Sequence, residues 1–167
     1  MYSHIFITVG TTEFSDLIEA VDCEEFLNFV VRNGCKRLVI QIGRGEVEPT
    51  FLPDVCSCVD IDLEVFRFKP TLSEDMQSAD LIICHAGAGS ITEALSLHKK
   101  VMVVVNDTLM DNHQTELARA VVGKGYCFST LPEKLITDLS VADFSSTTRY
   151  PPVDYSAFPN IINELFA

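Results

Sequence analysis

Short runs of consecutive apolar residues alternate along this chain with longer stretches in which apolar residues recur every three or four positions. The short runs predict strands at residues 5–9, 37–42, 63–68, 81–84 and 101–105, with a brief sixth at 125–128. Helical spacing marks residues 14–31, where Leu17, Ile18, Val21, Phe26, Leu27 and Val30 fall on recurring faces; the acidic stretch at 22–25 signals a break within it. Further helices are predicted at 72–78, 90–98 and 112–122. Residues 46–60 are polar with two prolines and read as a loop plus a short edge segment. Strands that are apolar throughout, separated by helices, belong to parallel sheets covered on both faces. The predicted fold is therefore α/β, a Rossmann-like doubly wound parallel sheet.

Beyond Pro132 the pattern weakens. Residues 137–156 are rich in Ser, Thr, Asp and Pro and read as a wrapping tail. Phe158, Ile161, Ile162, Leu165 and Phe166 then return to helical spacing, which predicts an amphipathic helix at about 157–166. Its apolar face can dock on its own domain or be offered to another chain. The division expected is a domain at 1–130 and a carboxyl-terminal tail at 131–167.

Composition narrows the function classes. A length of 167 residues fits one domain. The formal charge is −12, from 24 acidic against 12 basic residues, with no basic block. Nucleic acids and anionic lipid surfaces are bound through clustered Lys and Arg, so neither is an expected partner. The six cysteines lack the spacing of a zinc site and are expected to be reduced thiols. The amino terminus reads as a first strand, and no apolar run reaches the ~20 residues of a membrane span. The expectation is a cytosolic chain that something else holds at any membrane it serves.

Ligands of open parallel sheets bind beyond the carboxyl ends of the strands. Three predicted strand ends carry unusual residues: VGTTEF, QIGRG and CHAGAGS. In the last, Gly87 and Gly89 allow a sharp turn and close backbone approach. Ser90 and Glu93 fit a capping box at a helix start. The same free N–H groups could instead meet a phosphate, leaving Glu93 to accept hydrogen bonds from ribose hydroxyls. The spacing departs from both the dinucleotide and the P-loop patterns. His85 either bonds a neighbouring loop or contacts the ligand. Thr11 and Thr12 either cap the next helix or donate to the ligand. Arg44, flanked by glycines, is the cation assigned to a diphosphate. Asn112, His113 and Gln114 form a polar cluster suited to sugar hydroxyls.

In order along the chain, FITVGTTEF, QIGRG, VFRFK, SADLIICHAGAGSITEAL and MDNHQTELA resemble the carboxyl-terminal domain of glycosyltransferase family 28, over residues 4–125. Within it, the chain is similar to cytosolic donor-binding subunits of the eukaryotic dolichol-linked UDP-N-acetylglucosamine transferases. The resemblance implies one half of a two-domain, GT-B type enzyme. It gives Glu93 to the ribose, and Gly87, Ala88, Gly89 and Ser90 with Thr11 and Thr12 to the diphosphate. Phe68 and Lys69 fall where the family reads uracil, and Gln114, with Asn112 and His113, where it contacts the sugar. In the bacterial peptidoglycan relative the position of His113 holds a second glutamine and that of His85 a basic residue.

The resemblance assigns no catalytic residue to this chain, because the general base and the lipid site lie on the other half. It implies a membrane-anchored, acceptor-binding partner at the cytosolic face of the endoplasmic reticulum, no activity alone, and inverting transfer of GlcNAc from UDP-GlcNAc to GlcNAc-diphospho-dolichol. Neither a metal nor another cofactor is expected, the nucleotide sugar being substrate. A subunit of a bacterial-type capsular polysaccharide transferase and a noncatalytic nucleotide-sugar scaffold remain as alternatives.

Overall fold

The computed structural model describes residues 1–106 and 112–152, with the side chains of 112–115 and 117 outside that description. The first unit is β1 (His4–Thr8), α1 (Ser15–Val21), α2 (Glu24–Arg32) and β2 (Arg37–Gln41). It is followed by α3 (Phe51–Val55), β3 (Asp62–Phe66), α4 (Ser73–Ser78) and β4 (Leu81–His85). Then come α5 (Ala88–Ser96), β5 (Lys100–Val104), α6 (Asn112–Gly123), β6 (Phe128–Thr130) and α7 (Leu135–Val141). The strands form one sheet in the order β3-β2-β1-β4-β5-β6, and every pairing is parallel. This is the doubly wound order, whose direction reverses between β1 and β4.

Alternation along the strands divides the core in two. Ile5, Ile7, Leu38, Ile40, Leu81 and Ile83 point to the face covered by α1, α2, α3 and α7. Phe6, Val39, Ile82, Cys84, Val101 and Val103 point to the other, beneath α4, α5 and α6. β1, β2 and β4 are buried on both faces, which is why they read as unbroken apolar runs. All six cysteines are free thiols; burial pushes those of Cys35 and Cys127 up to about 11, and that of Cys84 higher.

Several boundaries differ from the sequence reading. The segment 46–60 contains no edge strand; it forms α3 and a 3₁₀ turn at Cys56–Val59. Pro53 is tolerated because it lies in the first turn, where its missing N–H has no helical partner. The Asp22 carboxylate starts this helix, accepting from the backbone N–H groups of Thr50 (2.7 Å), Phe51 (3.0 Å) and Leu52 (2.8 Å). The predicted sixth strand shifts to Phe128–Thr130, because Gly125 at φ +72° turns the chain out of α6 first. The stretch read as a tail contains α7, whose Leu135 and Leu139 join Phe144 in the main core. The amphipathic helix expected at 157–166 lies outside the described residues. No helix among the described residues is long and apolar enough to cross a membrane.

Candidate functional site

A cavity of about 530 Å³ opens at the carboxyl ends of β1, β2 and β4, where the strand order reverses. Part of its lining is apolar, from Phe68, Pro70, Leu72 and Met76; the rest includes the polar residues Thr11, Thr12, Ser90 and Glu93 and the glycine turn at Gly87. Such a mixed lining suits a ligand with a flat apolar end and a polar, anionic end.

Under this cavity lies Gln41, the buried last residue of β2. Its Oε1 accepts from the Thr8 hydroxyl at 2.5 Å, and its amide nitrogen donates to the carbonyls of Gly10 (2.6 Å) and Arg67 (2.7 Å). One side chain at the end of β2 thus ties together the segments that follow β1 and β3. The β1 turn is closed by its own residues. The Gly10 N–H donates to Thr8 Oγ1 (3.0 Å), and the Thr12 hydroxyl to the Val9 carbonyl (2.8 Å). Gly10 has φ +64°, a left-handed conformation that favours glycine. Neither threonine caps α1, whose N-cap is Phe14.

His85 ends β4 in the cavity floor, buried, with two glycines close to the Nε2–Cε1 edge of its ring. A Cβ built at Gly87 would stand 2.1 Å from His85 Nε2, and one at Gly10 2.5 Å from Cε1. The imidazole therefore fits only because both neighbours are glycine. Its Nδ1 is buried without a hydrogen-bond partner among the described residues. Burial holds the pKa below the usual histidine value; the nearby Thr8 backbone opposes this without reaching hydrogen-bond geometry. The ring is neutral at pH 7.

Helix α5 begins two residues earlier than its sequence suggests. Its N-cap is Gly87, with no side-chain cap, so Ala88 is the first helical residue. The capping box is thereby corrected: Ser90 stands in the first turn, and Glu93 Oε1 instead accepts a 2.5 Å hydrogen bond from the Ser73 hydroxyl of α4. The run of small residues lets the chain coil early, leaving the first N–H groups of the helix open to the cavity.

Lys69 lies over the Phe66 ring at 4.1 Å and bonds Glu64 (2.9 Å) and Asp75 (3.0 Å). Burial alone would lower its pKa, but the two carboxylates outweigh it and raise it. Phe68 at the rim is 53% exposed. Arg44 is exposed and outside the cavity lining; its backbone N–H donates to the Thr12 carbonyl at 3.0 Å. The guanidinium that holds this loop is Arg67, which donates to the Gly45 carbonyl and to Glu48, both at 2.6 Å.

Of the residues proposed from sequence, the fold gathers Thr11, Thr12, Phe68, Lys69, His85, Gly87, Gly89, Ser90 and Glu93 around one cavity. Ala88 is exposed at the start of α5, between lining residues, and Arg44 stands apart. Asn112, His113 and Gln114 open α6, but their side chains lie outside the described residues. Sequence reasoning missed Gln41 and Ser73. A lone amide closing an apolar strand was the available signal for the first; the second had none.

Residues 4–165 match the glycosyltransferase family 28 C-terminal domain. The chain belongs to this family. A human relative named UDP-N-acetylglucosamine transferase subunit ALG13 is 46% identical over 124 residues, 74% of this chain but only 11% of its own length. The mouse relative of the same name is spanned over 10% of its length. The Saccharomyces cerevisiae relative, also so named, is 33% identical over 192 aligned positions, covering 96% of this chain and 94% of its own. Among solved structures of the fold, an NMR solution structure of ALG13 has TM-score 0.67 at 26% identity, covering 95% of this chain and 94% of that one. Acinetobacter baumannii MurG has TM-score 0.53 at 19% identity, with 98% of this chain matching 40% of that one. The family 28 domain here is therefore the kind of sheet that larger GT-B glycosyltransferases carry as their carboxyl half.

Proposed function

We propose that this chain is the donor-binding subunit of an inverting N-acetylglucosaminyltransferase, taking UDP-GlcNAc as donor and GlcNAc-diphospho-dolichol as acceptor. The observation that carries the reading is the cavity of mixed lining at the switch point, with Glu93 one turn inside α5 and open helix N–H groups beside it. The printed names of the relatives, UDP-N-acetylglucosamine transferase subunits, support the choice of donor. In this reading uracil packs by the Phe68–Lys69 wall and the ribose hydroxyls donate to Glu93. The diphosphate meets the N–H groups of Gly87 to Ser90 and the Thr11–Thr12 turn. Charge on the departing UDP is stabilised there by fixed dipoles at the helix start. Arg44 takes part only by extending over the rim. The sugar-contacting role stays with Asn112, His113 and Gln114, as the family resemblance assigns it.

The acceptor hydroxyl would be activated by a base on a membrane-anchored partner, which recruits this chain to the cytosolic face of the endoplasmic reticulum. The reading invokes no metal and no resident cofactor. Calorimetric titration of UDP-GlcNAc into the chain, with UDP-galactose as control, tests donor binding. Glu93→Ala is expected to abolish it, and Arg44→Ala to weaken it less. GlcNAc transfer to the lipid acceptor on mixing with partner-containing membranes tests turnover. Donor binding with no transfer in that mixture would favour the scaffold instead.

A further inference from the structure

Glu93 is held before any ligand arrives. The Ser73 hydroxyl donates to its Oε1 at 2.5 Å, joining the first residue of α4 to the middle of α5. Ser73 closes the segment that carries Phe68 and Lys69. Its own N–H donates to Thr71 Oγ1 at 3.1 Å, the Met76 N–H to the Leu72 carbonyl at 2.9 Å, and Lys69 is bonded to Asp75 in the same helix. Met76 packs in the apolar cluster that holds Ile91 and Ala94 of α5. One hydroxyl therefore couples the segment carrying Phe68 and Lys69 to the Glu93 carboxylate of the adjacent helix.

A carboxylate accepts at about four lone-pair positions. Ser73 takes one, leaving Oε2 and the rest for a vicinal diol. An unheld glutamate would have to lose rotamer freedom on binding, whereas this one has already lost it. Building on the donor-site reading above, we infer that Ser73 is a positioning residue that fixes Glu93 so that a nucleotide's ribose is selected through both of its hydroxyls. A ligand with one ribose hydroxyl uses the held geometry only in part, so it loses less when the serine is removed.

The test titrates UDP and 2′-deoxy-UDP into the full chain carrying Ser73, Ser73→Ala, Ser73→Thr or Glu93→Ala. Ser73→Ala is expected to weaken UDP about fivefold while changing 2′-deoxy-UDP less than about twofold, the scale of one ordinary net hydrogen bond. Ser73→Thr keeps the hydroxyl and is expected to restore the ribose preference. Glu93→Ala is the control in which nucleotide binding is expected to be lost. An unchanged preference in Ser73→Ala, or equal losses that Ser73→Thr does not rescue, overturns the inference and leaves the donor-site reading standing. No UDP binding by the unaltered chain, followed by NMR to millimolar ligand, overturns the donor-site reading and the inference with it.

Discussion

Replacing Gly87 by alanine isolates one contact in the floor of the site. Gly87 has φ −79° and ψ 130°, which any residue adopts, so the backbone tolerates the change. The new Cβ would stand 2.1 Å from His85 Nε2 and 2.6 Å from Cε1, against ~3.5–4.0 Å for a relaxed contact between carbons. Gly10 approaches the same Nε2–Cε1 edge, so the ring is already closely confined there. Either the imidazole leaves its pocket or the start of α5 shifts. Overpacking of this kind costs about 1–3 kcal/mol. The poorer capping of alanine adds up to about 1 kcal/mol, whatever stands at residue 85. Urea unfolding of the unaltered chain, Gly87→Ala, His85→Ala and the double variant separates the two. With the ring gone only the capping cost remains, so the cycle should show about 1–2 kcal/mol of coupling. A melting series should follow at about 2–4 °C per kcal/mol for a chain of this size. Equal costs for Gly87→Ala with and without the histidine ring would refute the argument.

Other perturbations test the surrounding framework. Gln41→Leu leaves the Thr8 hydroxyl and the Gly10 and Arg67 carbonyls without their buried partner, and should cost about 3 kcal/mol or more. A loss below ~1 kcal/mol in urea unfolding would mean water replaces the amide. Asp22→Ala should cost about 1–3 kcal/mol and speed hydrogen exchange at Thr50, Phe51 and Leu52 first; a uniform rise along the chain would contradict a local cap. His4 and His85 both have pKa values lowered by burial, with Arg37 adding to the effect at His4. The unfolded chain therefore takes up protons that the folded rings refuse. Their stabilisation is full above about pH 6.5 and is lost as pH falls below it, ahead of carboxylate titration. Unfolding compared at about pH 7.5 and about pH 5.5 should show that decline, and His85→Asn should flatten it; an unchanged slope would place the proton elsewhere.

The centre of the sheet was readable from sequence because β1, β2 and β4 are buried on both faces, which leaves no polar alternation to blur them. Helices α3 and α7 were not. Each is short, one holds a proline and the other sits in a Ser-, Thr- and Asp-rich stretch, so local propensity argued for loop. Their formation depends on distant groups: Asp22 caps α3, and Leu135 and Leu139 of α7 find a core built by residues far upstream. In the site, the glycine turn and Glu93 were legible as chemistry at a strand end. The capping box failed because local spacing cannot show that Ser73, twenty positions earlier, supplies the hydrogen bond that Glu93 accepts. Arg44 looked singular between its glycines, yet Arg67 is the guanidinium whose bonds hold that loop.

The strand order also has a consequence for synthesis on the ribosome. β1 emerges first but sits mid-sheet, paired to β2 on one side and to β4, at Leu81–His85, on the other. Until β4 has been made, one edge of this fully buried strand is unsatisfied and open to wrong pairing. Translation slowed between β2 and β4 would prolong that exposure. The cavity, built from the ends of both β1 and β4, cannot exist before the second pairing is complete, so a truncated nascent product would compete for chaperones without ever forming the site.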